Sequence, residues 1–336
     1  MTRSLLFALL VGGALPAPAF AATWTPDHIV IVVEENLSYR NLVPELTYLS
    51  QLRHDNASFS DSHAVDHPSQ PNYLALFSGS TQGTGSKRNL DGSNPIVGGH
   101  TQVGTDAPVG GAPLTGPNLA ASLIRAGRSF AGYAEDLPQQ GFTGIANQGP
   151  PGSGVDYRRK HNPWVNWQAA SDDAIGENQL PSSTNRPFTA FPSNDSDFAR
   201  LPTLAIVVPN QINDAHGSLA APPGTDLGKA MDNWLRTHID PYRQWAMNHN
   251  SLLIVTWDED EDDNDPVKDS TGAIVAKHYH NHIATIMAGE RVIPGTYDER
   301  IDHYAVLHTI GDFYSLAPLT EADAKAPIVT DVFRAR

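Results

Sequence analysis

The sequence predicts an α/β sandwich with a mostly parallel central sheet, and three features predict it. Four short runs rich in Val and Ile recur along the chain without strict alternation, as strands buried on both faces do. Stretches with apolar residues at helical spacing separate them. Three of the four runs stop at acidic or amide residues, where the ligands of open α/β sheets gather.

In chain order, Met1 to Ala21 carries a positive charge at Arg3, the apolar run LLFALLVGGAL and the small-residue pattern Ala19, Phe20, Ala21. It reads as a secretory signal, with the mature chain beginning near Ala22. HIVIVV, from His28 to Val33, is the first expected core strand. QPNYLALFSG reads as a helix starting near Asn72, after Pro68 and Pro71 have restricted the backbone. GPNLAASLIRAG follows as a second helix, then TLAIVV from Thr203 to Val208 as a strand. LGKAMDNWLRTHIDPYRQWAMNHN reads as one long helical pattern. SLLIVTW, from Ser251 to Trp257, and HIATIMAG, from His282 to Gly289, are further strands, and DHYAVLHTIGDFYSL is a last helix. The stretches from Gly79 to Gly116 and from Pro138 to Gly154, rich in Gly, Pro and Ser, read as excursions over the sheet rather than linkers. Residues 22–336 are therefore expected to form a single domain.

Composition narrows the function. A chain of 336 residues with 40% hydrophobic and 18% charged residues has enough apolar side chains for a real core, which argues against disorder. After the signal, no stretch reaches the roughly 18 to 20 continuous apolar residues of a membrane span. The expected product is secreted or periplasmic, with no integral membrane segment. The lack of cysteine excludes disulfides, thiolate metal sites and a cysteine nucleophile together. With 37 acidic against 22 basic residues, the net charge of −15 makes nucleic acid a poor partner. An anionic substrate would need a bound cation or a local positive cluster to reverse the field.

The acids at the strand ends supply such a cation site. Glu34, Glu35 and Asn36 follow HIVIVV; Asn210, Asn213, Asp214 and His216 follow TLAIVV; Asp258 and Glu259 follow SLLIVTW. On its own, Glu35 with Asn36 would read as a helix cap. Joined by Asp258 and Glu259 from another strand end, the four oxygen donors suit one hard divalent cation such as Mg, Mn or Ca. The run DEDEDDND does not complete an EF-hand, because Asp263 stands where the turn needs Gly and Asp269 where a bidentate Glu is needed. Asp258 and Glu259 are retained as ligands and Asp260 to Asp265 are read as exposed.

Ser69 lies between two prolines beside His67, at the polar entrance to an apolar helix. Serine needs a metal or a neighbouring base to become a nucleophile. The helix N-terminus behind it would direct N–H groups at an anion, with Asn72 able to donate one more bond. Of the fourteen histidines, His67, His161, His216, His280 and His282 lie in polar company, and His280 and His282 compete for one role. The motif GxSxG is absent, which weighs against an α/β-hydrolase esterase.

HIVIVVEEN, HPSQPNYLALFSGST, YAEDLP, KHNPW, VPNQINDAH, SLLIVTWDEDE and NHIATIMAGERVIPG, followed by DHYAVLHTIGDFYSL, resemble in order the bacterial acid phosphatase and phospholipase C phosphoesterase family of the alkaline phosphatase superfamily. The resemblance covers nearly all of the mature chain. It implies an alkaline-phosphatase-like sandwich with helices on both faces. It also implies Ser69 as nucleophile, one divalent metal held by Glu35, Asn36, Asp258 and Glu259, and phosphate-binding histidines at His67, His161, His216 and His282. Asp214 would be an orienting or metal-linked carboxylate, and His280 and Asn72 would complete the substrate contacts. The implied activity is hydrolysis of small phosphomonoesters through a phosphoserine, with protonated histidines favouring acidic pH. Phosphodiester or phospholipid-headgroup cleavage is the alternative, and a non-catalytic cation-binding protein is the third reading. The length favours the phosphatase, since the larger phospholipase C enzymes carry further C-terminal domains.

Overall fold

The computed structural model describes residues 24–84, 106–107, 113–260, 264–268, 274–279 and 281–334. The expected signal segment, Met1 to Ala21, and His280 lie outside the described residues. The strands are β1 (His28–Glu34), β2 (Ala57–His63), β3 (Phe130–Ala134), β4 (Ala146–Gln148), β5 (Asp156–Arg158), β6 (Asn185–Pro187), β7 (Leu204–Val208), β8 (Ser251–Trp257), β9 (Asn264–Lys268), β10 (Ile274–Tyr279), β11 (His282–Gly289) and β12 (Gly295–Asp302). Eight of them form one sheet in the order β12-β2-β11-β8-β1-β7-β3-β6, while β4 pairs with β5 and β9 with β10. Within the large sheet every pairing is parallel except those of β11, which runs antiparallel to both β2 and β8.

The Val- and Ile-rich composition of β1 has a direct structural counterpart. Successive side chains of a strand point to opposite faces. Ile29, Ile31 and Val33 therefore enter one core, and Val30 and Val32 the other. The first core is closed by α2 (Ser69–Ser78), α3 (Leu119–Arg125) and α7 (His303–Phe313), through Tyr73, Phe77, Leu123 and Ile310. The second is closed by α1 (Thr47–Asp55), α5 (Leu227–Trp234) and α6 (Asp240–Ala246), through Leu52, Met231, Trp234 and Trp245. Two short helices, α4 (Asp195–Phe198) and α8 (Glu321–Lys325), complete the set. The edge strand β12 alternates exposed Thr296, Asp298 and Arg300 with inward residues, and such charges discourage further strand pairing. No helix among the described residues is long and apolar enough to cross a membrane.

Two helix expectations need correction. The long pattern from Leu227 is broken: a π-helical turn at Leu235–Ile239 separates α5 from α6, and Pro241 occupies the first turn of α6. Proline has no N–H to bond the preceding turn and its ring crowds the carbonyl four residues back, so a straight helix cannot pass through it. Helix α2 begins at Ser69 rather than near Asn72, with Pro68 as its N-terminal cap residue. Pro71 is tolerated because the N–H groups of a helix's first turn have no intrahelical partner to lose.

Candidate active site

Parallel pairing carries the acids to one edge. Strand β1 lies between β7 and β8, and the ladder continues past the strand ends: Asp258 N–H donates to Glu34 O at 2.9 Å, and Glu35 N–H to Asp214 O at 2.8 Å. On the next strand along, Glu135 N–H donates to Val208 O at 3.0 Å. Acids from four adjacent strands thus share one end of the sheet. Asn36 turns the chain with a φ of 43°, a left-handed conformation Asn tolerates, and its N–H donates to Asp258 Oδ1 at 3.2 Å.

Helix α2 brings the hydroxyl to this edge. Ser69 is buried, with Oγ 3.1 Å from Glu35 Oε2 and 3.0 Å from Glu259 Oε1. Tyr73, one helical turn on, donates its hydroxyl to Glu35 Oε1 at 3.3 Å. The Tyr73 ring stacks on His161, whose Nε2 lies 2.6 Å from Glu35 Oε1 and whose Nδ1 lies 3.5 Å from Asp214 Oδ2. The His216 ring is 5.8 Å from that of His161, and the backbone N–H of His216 donates to Asp214 Oδ1 at 2.8 Å. On the other flank His67 pairs through Nδ1 with Glu259, and through Nε2 with Asp260 Oδ1 at 3.3 Å.

Electrostatics set the demand for positive charge. Burial pushes the carboxyl of Asp258 well above its ordinary range, and the neighbouring Glu35 and Glu259 push it further. Burial and Glu35 likewise raise Glu259 despite its bond to His67. Burial opposes ionisation of Glu35 too, but His161, with His216 and Lys160, holds it at about 2. Burial also opposes charge on His67 and His161, yet Asp260 and Glu259 push His67 up to about 10, and Glu35 and Asp214 push His161 up to about 9. Glu35, Asp258 and Glu259 can each offer one oxygen, all within 4.8 Å of one another, and Asp258 Oδ2 is buried without a hydrogen-bond partner. Three buried carboxylates this close need protons or a cation. Glu35, His161 and His216 likewise bring ligand atoms within 4.8 Å of one another. These residues fit a metal ion.

The structure thus gathers Glu35, Asp258, Glu259, Ser69, His67, His161, Asp214 and His216. Two expected residues are engaged differently. Asn72 receives the N–H groups of Val65 and Asp66 on its Oδ1, both at 2.9 Å, and donates to Asp66 O at 2.7 Å, so its amide shapes the bend ahead of Ser69 rather than facing a phosphate. The His282 ring stacks between Tyr39 and His63, with Nε2 2.9 Å from Ser60 O. It reaches the cluster through its backbone N–H, which donates to Asp260 Oδ2 at 3.2 Å.

Asp260 itself, expected to be exposed, is buried and joins His67, Asn281 and His282. Its place in an acidic run hid it, although it continues directly from the two expected ligands. Glu34 was legible as a strand-end acid, and it is buried with both oxygens unpartnered. Its carboxyl is raised well above the ordinary value by burial, Asp214 and Glu135. Lys160, half-buried and adjacent to His161, was missed; its ammonium lies 3.2 Å from Asp106 Oδ2.

Comparison with known proteins bears on this arrangement. A sequence profile described as the Phosphoesterase family matches residues 43–317. The chain is 36% identical over 326 residues to a phosphatidylinositol-3-phosphatase of Mycobacterium tuberculosis, covering 96% of this chain and 88% of that one. It is 25% identical over 286 residues to a phosphate-repressible acid phosphatase of Penicillium chrysogenum, covering 84% of this chain and 57% of the fungal one, so it spans little more than half of that relative. A solved protein of the alkaline phosphatase superfamily from Vibrio parahaemolyticus superposes with a TM-score of 0.55 at 14% identity, covering 94% of this chain and 74% of that one, which shows a shared fold.

Proposed function

The chain belongs to the phosphoesterase family, and from that premise we propose that it is a metal-dependent acid phosphatase that cleaves phosphomonoesters through a phosphoserine at Ser69. The observation that carries the reading is the buried Ser69 hydroxyl, set at the first residue of α2 within 3.1 Å of both Glu35 and Glu259. A divalent ion held by Glu35, Asp258 and Glu259, with Asn36 beside them, would polarise the phosphoryl oxygens and make the serine hydroxyl more acidic. Ser69 Oγ passes its proton to Glu259 and attacks phosphorus. The Oγ–P bond forms as the bond to the leaving oxygen breaks, and that oxygen takes a proton from water. A second water then displaces the phosphate, and Ser69 recovers its proton from Glu259. His67, His161 and His216 offset the charge on the phosphoryl oxygens, with Asp214 fixing His161 and the His216 backbone.

The reading includes export before action, with a mature N-terminus near Ala22, which N-terminal sequencing of the exported product tests. A phosphomonoester on a lipid headgroup is the second reading of the substrate, favoured by the 36% identity to a protein named for phosphatidylinositol 3-phosphate. The test of the reaction is hydrolysis of p-nitrophenyl phosphate with and without chelator, coupled to mass spectrometry of the acid-quenched enzyme. A phosphate on the Ser69 peptide is expected. Turnover that survives exhaustive chelation, or a quenched enzyme without phosphoserine under turnover, overturns it.

A further inference from the structure

Beside the first turn of α2 lies a cavity of about 290 Å³ lined by Gln70, Asp106, Arg158, Arg159, Lys160 and Gln211. Gln70 directly follows Ser69 and Lys160 directly precedes His161, so the cavity adjoins the reacting hydroxyl without containing it. Its three cations are not equally matched. Arg158 Nε pairs with Asp156 Oδ1 at 2.7 Å, and Lys160 with Asp106 at 3.2 Å. Arg159 donates to the carbonyls of Thr143 at 2.6 Å and Val165 at 3.5 Å, neither of which bears charge, and its Nε is buried without a partner.

The amides tell the same story. Gln70 is 1% exposed, yet neither its Nε2 nor its Oε1 has a partner, and Gln211, 5% exposed, leaves its Nε2 unused. Buried amide groups are ordinarily satisfied, and an unmet one is destabilising. One guanidinium without an acid, the unpaired amide of Gln70 and the unused Nε2 of Gln211 around a cavity of sugar size call for a ligand with an anionic group and hydroxyls.

We propose that this cavity is a subsite for a second anionic group on the leaving alcohol, so that the preferred substrate is a phosphomonoester of a polyol carrying a further phosphate or phosphodiester. The inference rests on the phosphatase reading and names its substrate class. Arg159 would take the second anion, while Gln70 and Gln211 bond the polyol hydroxyls. The same chemistry is offered by a free polyol bisphosphate and by a phosphorylated inositol lipid headgroup.

The test compares kcat/KM for p-nitrophenyl phosphate, inositol 3-phosphate, inositol 1,3-bisphosphate and dioctanoyl phosphatidylinositol 3-phosphate. At least roughly a tenfold preference over inositol 3-phosphate is expected for the bisphosphate, the lipid or both, since a charge-assisted bond is worth about 1.5–3 kcal/mol. The faster of the two names the source. Arg159→Gln should reduce that preference to about twofold or less, with p-nitrophenyl phosphate turnover nearly unchanged. If that variant does not fold, Gln211→Glu, which keeps the side-chain shape and adds a negative charge, should give the same collapse. Equal kcat/KM for the monophosphate and both doubly charged substrates overturns the subsite. Failure to hydrolyse p-nitrophenyl phosphate counts against the phosphatase reading instead. Titration calorimetry then decides the subsite on its own, because tighter binding of the bisphosphate than of the monophosphate supports it and equal binding overturns it.

Discussion

At the scale of single residues, Ser69 and Asn72 stand three positions apart on one helix and do different work. Ser69 Oγ touches the carboxylates, so Ser69→Ala should lower kcat by several powers of ten while leaving the melting temperature near wild type; residual turnover above about a hundredth of wild type contradicts a covalent role. Asn72 instead accepts the buried N–H of Asp66 and the partly buried N–H of Val65, and Asn72→Ala leaves both without an acceptor. A loss of about 1–3 kcal/mol in unfolding free energy, measured without substrate, is expected. Glu299 offers a pH reading remote from the acid cluster. Burial, Asp331 and Asp298 raise its carboxyl from 4.5 to about 7. A raised acid favours the fold below its unfolded pKa and loses that contribution as pH climbs through the folded value. Glu299→Gln should therefore match wild type in melting temperature at pH 4 and exceed it at pH 8; equal melting temperatures at both pH values contradict the shift.

At the scale of elements, the site depends on how closely strands and helices approach one another. Strand β11 turns against the direction of its neighbours, and Gly289 at its end lies against the start of β8. A Cβ added there would stand 2.3 Å from Ser251 O, a backbone atom that cannot swing aside. Gly289→Ala should destabilise the protein by about 1–3 kcal/mol, read as a lower denaturation midpoint. An unchanged midpoint would mean that the β8–β11 ladder gives more easily than its register suggests. Because β8 delivers Asp258 and Glu259, metal affinity should fall in the same variant.

At the scale of the whole molecule, a chain of net charge −15 gathers buried acids at one end of its sheet. Their mutual repulsion would make the fold and a bound cation mutually dependent, because a ligand bound only by the folded state raises stability by mass action. Chelation should lower the melting temperature, and re-addition of a divalent ion should restore it in a concentration-dependent way. An identical melting curve after exhaustive chelation contradicts the metal centre. Arg158, Arg159 and Lys160 gather positive charge in the cavity beside α2, where Arg158 and Lys160 are matched by Asp156 and Asp106 and Arg159 by no acid.

The strands, the fold class and most of the cluster were legible in the sequence itself. Strand burial leaves a continuous Val and Ile signature, and polar residues directly after such a run have little place to go except the sheet edge. Glu35, Asp258 and Glu259 were found by that argument, and Ser69 by its stiff polar setting. What tertiary structure decided were the facts that depend on neighbours distant in the chain. Asp260 is buried because Asn281, His282 and His67 close around it, across twenty residues or more of intervening chain. Asn72 turns inward because the bend at Val65 and Asp66 needs its acceptor, and His282 is taken by Tyr39, Ser60 and His63. Local sequence states which groups are polar and how the backbone can run; which partner satisfies each group is settled only when the packed chain brings candidates within about 3 Å.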